Sequence, residues 1–199
     1  MGIWRALERA RAPIAWMALT YVGSVAVGAG MAHAGNGLVL RYRDRLVGHA
    51  GESGAGGAMR RNERVQAALL DFGSNLLMGA VPSTVMGISV VMPFPLAAYR
   101  GWVGGIVSVD GQHVSRFANR REGIYYLGVL LLQLIPYTLA GGAEVRLGLG
   151  FLLPRGRWGY ADHRRWLGLP AEGVRDVGWL YLLVVPLFLV ASLVEFLAR

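Results

Sequence analysis

The chain has no cysteine and no lysine, and few charges of either sign. Without cysteine there is no disulfide, no iron–sulfur cluster and no thiolate-held zinc. Charged residues make up 16% of the 199, against about 25% in a soluble domain. The four histidines, His33, His49, His113 and His163, fall in different segments without metal-ligand spacing, so no metal site is expected. Gly28-Ala29-Gly30 lies inside an apolar run with no strand–helix context, which removes a nucleotide loop. No serine sits in a nucleophile-elbow setting. No catalytic residue and no cofactor is therefore expected, and the chain reads as a non-enzyme.

What is present is apolar. Hydrophobic residues make up 54% of the chain and the mean hydropathy is +0.43. The net charge of +8 comes from arginine alone. These arginines alternate with long apolar runs rather than gathering on one soluble module, so no nucleic-acid partner is expected. Arginine at the ends of apolar runs suits anionic lipid headgroups.

The runs cover residues 12–34, 66–92, 94–109, 124–153 and 178–198. Most are near the ~20 residues that a membrane helix needs. They predict a single all-α membrane domain, a helical bundle of about five spans. Surface segments would be 35–65, 110–123 and 154–177. Residues 1–11 put Ile3, Trp4 and Leu7 on one helical face, which predicts a separate interfacial helix. Residues 48–57 are glycine-rich and predict a flexible tip. Trp4, Arg5, Arg9, Trp158, Arg164, Arg165 and Trp166 are the candidates for contact with lipid or partner subunits. The arginines before the first run lean towards an inside N-terminus in a bacterial cytoplasmic membrane.

The second and third runs form the hub, a tight hairpin broken at Met92-Pro93-Phe94-Pro95. Asp71, Asn75, Gly79, Ser83 and Gly87 recur every four residues, which places them on one helix ridge. Each step of four overshoots a helical turn by roughly 40°, so the ridge winds around the helix. Gly101 and Gly105 make a GxxxG pair, a device that lets helix backbones approach in lipid. The third run is short and holds Arg100, so it would be tilted, broken or re-entrant. Pro82, Pro136 and Pro186 mark expected kinks.

The polar residues inside these runs are the sharpest candidates, because intramembrane charge is costly. They are Asp71, Asn75, Arg100, Glu144 and Glu195. Asn75 reads first as an interhelical hydrogen bond. Arg100 would pair with Glu144 or Asp71, or snorkel to an interface. Glu195, near a helix end, would reach headgroups. Tyr137 would donate to a carbonyl freed by Pro136.

Several short stretches resemble the stage II sporulation protein M family of membrane proteins. They are Asn75 followed by Gly87; Tyr99-Arg100-Gly101 with Gly104-Gly105; Leu134-Ile135-Pro136-Tyr137 with Ala140-Gly141-Gly142 and Arg146-Leu147-Gly148; and Ala191-Ser192-Leu193-Val194-Glu195-Phe196. The resemblance covers most of the chain from Asn75 onward. Arg100 stands where the family has Asn, Tyr137 where it has His, and Ala140 where it usually has Glu. The resemblance implies a polytopic membrane protein that serves a larger complex. It keeps the packing glycines and prolines and loses the polar centre, which points to a scaffold or accessory subunit with other membrane subunits as partners. The alternative is a small transporter or channel subunit with a polar path at Asn75, Arg100 and Glu144.

Overall fold

The computed structural model describes residues 2–86 and 89–198, with only the backbone at residues 83, 85 and 86. The chain is almost entirely helical. Among the described residues three helices are long and apolar enough to cross a membrane: α1 (Ile3–His33), α7 (Arg120–Leu152) and α8 (Ala171–Leu197).

Helix α1 corrects the expectation of a separate interfacial helix at residues 1–11. It is continuous from Ile3, with Pro13 inside it. Its buried residues Ala6, Ala10, Pro13, Met17 and Tyr21 follow one another at steps of three and four. They form one stripe that begins in the first turn. Ala6 and Ala10 pack on Ala143 and Leu180, which binds the N-terminal turns to α7 and α8. The helix stops where Gly35 turns to φ +70, and Asn36 then caps α2 (Gly37–Glu52) by accepting from the Leu38 and Val39 amides.

The glycine-rich tip is also helical. Ser53 ends α2 and caps α3 (Gly54–Arg60), accepting the Gly56 amide at 3.2 Å. A Cβ at Gly56 would overlap the carbonyl oxygen of Ala50. The glycine is thus the corner that lets two helices meet closely. A reversal at Asn62, with φ +62, leads into the hub.

The hub helix comprises α4 (Arg64–Gly73), a π-helical segment (Ser74–Ala80) and α5 (Val81–Met86). After a turn containing Val90 at φ +64, α6 (Pro93–Ile106) returns, with Pro93 at its start. The third helix is therefore Pro93–Ile106 rather than 94–109. Its 14 residues span about 21 Å at 1.5 Å each, less than a ~30 Å hydrocarbon core. The last helix begins at Ala171, seven residues before the expected 178, because Glu172 and Asp176 are buried on it.

Contacts set the helix directions. Gly28 faces Trp102, while Gly101 faces Tyr21, so α1 and α6 run parallel. Ser192 meets Asp71 and Tyr181 meets Thr84, so the hub helix runs antiparallel to α8. Helix α7 is the central column: every residue from Pro136 to Gly148 is buried. Its Gly141 and Gly142 face Met17 and Ile14 of α1. At one end of the bundle lie α2, α3 and the 107–119 loop. At the other lie the start of α1 and a two-stranded hairpin, β1 (Arg165–Trp166) and β2 (Leu169–Pro170).

Candidate functional site

The π segment gives the hub ridge its shape. A π turn holds more than four residues, so a step of four now undershoots where an α-helical step overshoots. The drift of the ridge reverses, and Asp71, Asn75 and Gly79 all face the bundle's polar centre. Gly87 lies outside the described residues, as does the side chain of Ser83.

Four helices then contribute to one hydrogen-bonded chain. Arg100 of α6 donates through Nη1 to the Tyr137 hydroxyl of α7, and its guanidinium also lies 4.1 Å from the Tyr137 ring centre. Tyr137 donates to Asn75 Oδ1 at 2.5 Å. Asn75 Nδ2 donates to Asp71 Oδ2 at 2.9 Å. The same oxygen accepts from Ser192 of α8 at 2.7 Å. Every donor from the cation points towards the carboxylate, so each bond polarises the next. Arg100 thus makes no ion pair with Glu144 or Asp71; among the described residues the ion pairs lie elsewhere. Its charge reaches Asp71 through two neutral residues. Tyr137 bonds this chain rather than a backbone carbonyl freed by Pro136.

Glu144 belongs to a second group one turn further along. Its Oε1 accepts from Thr84 Oγ1 at 2.8 Å. Thr84 also meets the Tyr181 hydroxyl, which bonds the Ala80 carbonyl oxygen at 3.0 Å. Glu144 is fully buried. Between the two polar groups lies a cavity of about 130 Å³, lined by Gly79, Arg100, Tyr137 and Glu144 among apolar neighbours. Gly79 makes room there: a Cβ would come 2.7 Å from Arg100 Nη2. Pro82 lines the same cavity, while Pro136 and Pro186 sit within continuous helices.

A third polar group ties the Arg9 end together. Arg9 meets Asp176 through Nε at 2.6 Å and Nη2 at 2.5 Å, and Glu172 through Nη1 at 2.9 Å. Both carboxylates are buried. Arg9 is therefore a clamp between α1 and α8, its guanidinium held by two buried carboxylates while a quarter of the side chain stays exposed. Glu172 also accepts the Asp162 amide at 3.2 Å. Arg146 donates to the Trp158 carbonyl at 2.7 Å and lies 4.1 Å from the Tyr160 ring centre. Burial pushes the Tyr160 phenol up to about 12. These residues come from distant segments, and no local spacing announces them.

The remaining candidates divide. Trp4, Arg5, Arg164, Arg165 and Trp166 are exposed. Trp158 packs against Trp16, with ring centres 5.7 Å apart. Glu195 is bonded inward, accepting from Gln133 at 2.6 Å, rather than reaching outward. Gly101 and Gly105 sit on the α1–α6 seam, where a Cβ would overlap the Tyr21 and Val25 carbonyl oxygens. At the opposite end from Arg9, buried Arg43 bonds Asp44 at 2.8 Å and the Val109 carbonyl at 3.3 Å. His113 meets Asp44 at 2.9 Å. These partners hold the Asp44 carboxyl below its ordinary range, Arg43 most strongly. Among the described residues no three His, Asp or Glu gather as a metal site. Comparison with family models, curated proteins and solved structures finds no match.

Proposed function

We propose that the chain crosses the bilayer five times, N-terminus inside, and serves as a non-catalytic scaffold or accessory subunit of a larger membrane complex. The five-span reading is supported by alternating directions: α6 runs parallel to α1, α8 starts beside the start of α1 at Arg9, and the hub helix and α7 both run antiparallel to α8, Tyr125 meeting Glu195 while Ala143 packs on Leu180. The arginines Arg5, Arg9 and Arg11 at the start of α1 favour the orientation. The scaffold reading rests above all on the use made of the intramembrane polar residues. Asp71, Asn75, Tyr137, Arg100 and Ser192 bond to one another and close the centre of the bundle. A path needs polar groups facing water along its length, whereas these bond to one another, and the cavity that Arg100 and Tyr137 also line is walled mostly by apolar residues. The resemblance to the stage II sporulation protein M family supports the same reading.

The natural lack of cysteine makes the test direct. Asn75→Cys and Arg100→Cys, placed singly, are treated in membranes with a membrane-impermeant thiol reagent. The expected result is no labelling at either position, with stoichiometric co-purification of another membrane subunit in mild detergent. Labelling at both positions, with the chain eluting alone, would replace the scaffold by the transport path.

A further inference from the structure

The segment that joins α7 to α8 carries charge and apolar surface that the fold itself does not use. Residues 154–170 hold Arg155, Arg157, Arg164 and Arg165 against a single acid, Asp162. Asp162 is engaged locally, its Oδ1 accepting the Arg164 amide at 2.9 Å. The side chains of Arg155 and Arg164 are exposed, and no hydrogen bond, ion pair or ring contact holds them among the described residues. The neighbouring start of α1 adds Arg5 and Arg11 against Glu8, all three exposed. This end of the bundle is therefore basic at its surface.

The hairpin supplies the apolar part. Strands β1 and β2 pair Trp166 with Leu169, so Leu167 and Gly168 form a two-residue turn. Both have positive φ, +50 and +82, as a type I′ turn requires. Asn, Asp or Gly fills its first position at least cost. Here a leucine stands there, 86% exposed, beside Trp166 at 60%. Packing within the fold accounts for neither side chain. Arg165 braces the turn from behind, its Nη1 donating to the Gly168 carbonyl at 2.9 Å. Its guanidinium also lies 6.0 Å from the Phe151 ring centre. The hairpin thus sits beside the last turn of α7, where Leu152 and Leu153 are half exposed. An apolar tip and exposed arginines stand together where two membrane-length helices end.

The occupant must take up apolar side chains and offer negative charge beside them. A second copy of the same patch would set arginine against arginine. The surface of an anionic bilayer meets both demands: tryptophan and leucine enter the headgroup boundary, and arginine is drawn to the phosphates. On the five-span, N-inside reading, on which this inference rests, the hairpin lies at the inner leaflet, which carries the anionic lipid.

We propose that the Arg165–Pro170 hairpin is a lipid-surface anchor. Trp166 and Leu167 enter the headgroup boundary of the anionic leaflet, and Arg155 and Arg164 are held at its phosphates.

The lack of cysteine allows a nitroxide label at one chosen site. Spin-labelled Leu167→Cys is measured in the purified full chain in lipid nanodiscs, by its accessibility to oxygen and to a water-soluble nickel chelate. Leu19→Cys, on the exposed flank of α1, reports in parallel whether the bundle itself lies in lipid. In discs containing phosphatidylglycerol the Leu167→Cys label should be open to oxygen and shielded from nickel. In discs of phosphatidylcholine alone it should be mainly aqueous. Arg155→Gln combined with Arg164→Gln should lower the inserted-to-aqueous ratio in the anionic discs roughly thirtyfold, at about fivefold for each arginine near such a surface, with the melting temperature kept. A Leu167→Cys label that stays aqueous in anionic discs, inserts equally without anionic lipid, or is unmoved by the paired substitution overturns the proposal. If the Leu19→Cys label is then in lipid, the five-span reading stands without the anchor. If it is aqueous as well, both fall.

Discussion

Two seams hold the bundle, and they work in opposite ways. Between α1 and α6 the helices meet backbone to backbone at Gly28, Gly101 and Gly105, the nearest atom across from each glycine being a backbone atom. Between the hub helix, α7 and α8, the contact is made by side chains that carry charge and hydrogen bonds. The first seam depends on volume and has no tolerance for an added methyl. The second depends on partners and tolerates shape better than it tolerates a lost acceptor. In lipid neither seam has the hydrophobic effect to draw helices together, so close packing and polar bonding take its place.

The comparison breaks first at the glycine seam. Gly105→Val should cost about 3 kcal/mol or more, because the new side chain meets the Val25 carbonyl and the Ala29 amide of α1. Gly30→Val, on the same helix pair but facing open space, should stay within about 0.5 kcal/mol. Unfolding of both variants in mixed detergent micelles decides it; equal costs would mean the seam is not close-packed. A smaller effect is expected from the polar seam. Asp71→Ala should cost about 2 kcal/mol, since it strands the Asn75 amide and the Ser192 hydroxyl. A double-mutant cycle with Ser192→Ala should show a coupling of about 0.6–1.7 kcal/mol. Strict additivity would show that the two residues do not act together.

The smallest effect separates both seams from the bundle's end. Asp44 is held below its ordinary value in the fold, so its contribution is fully present above about pH 3.9 and fades as pH falls through the depressed value. The carboxylate is 45% exposed, so the contribution is at most about half a kcal/mol after screening. Acid should loosen the 110–115 loop from α2 before either seam opens, which amide exchange would detect. Simultaneous loosening of the seams would contradict this order.

Helical class was readable along the chain, because long apolar runs leave few alternatives. Helix ends were less so. Ala6 and Ala10 look like part of a basic arm until α7 and α8 are placed against them. The stretch from Gly48 to Gly57 looks loose because glycine signals freedom in isolation, whereas Gly56 is there to let two helix backbones meet. The polar partners were the hardest. That Asp71, Asn75 and Arg100 are costly in an apolar run was readable, but pairing and snorkelling stayed open for Arg100, and the route through Tyr137 depends on how α7 is rotated. Arg9 is 167 residues from Asp176, and no periodicity spans that distance.

The π segment has one more consequence. A π-helix is an α-helix that has absorbed extra sequence without breaking, so the hub helix behaves like a ruler with a displaced scale. Its first half is phased to place Asp71 against Ser192, and its second half to place Thr84 against Glu144 and Tyr181. Winding Ser74–Ala80 as ordinary α-helix, with every residue kept, would turn everything after it by roughly 100°. Thr84 would then point away from Glu144 while Asp71 kept its place. The helix serves two polar groups because its two halves are out of register with each other.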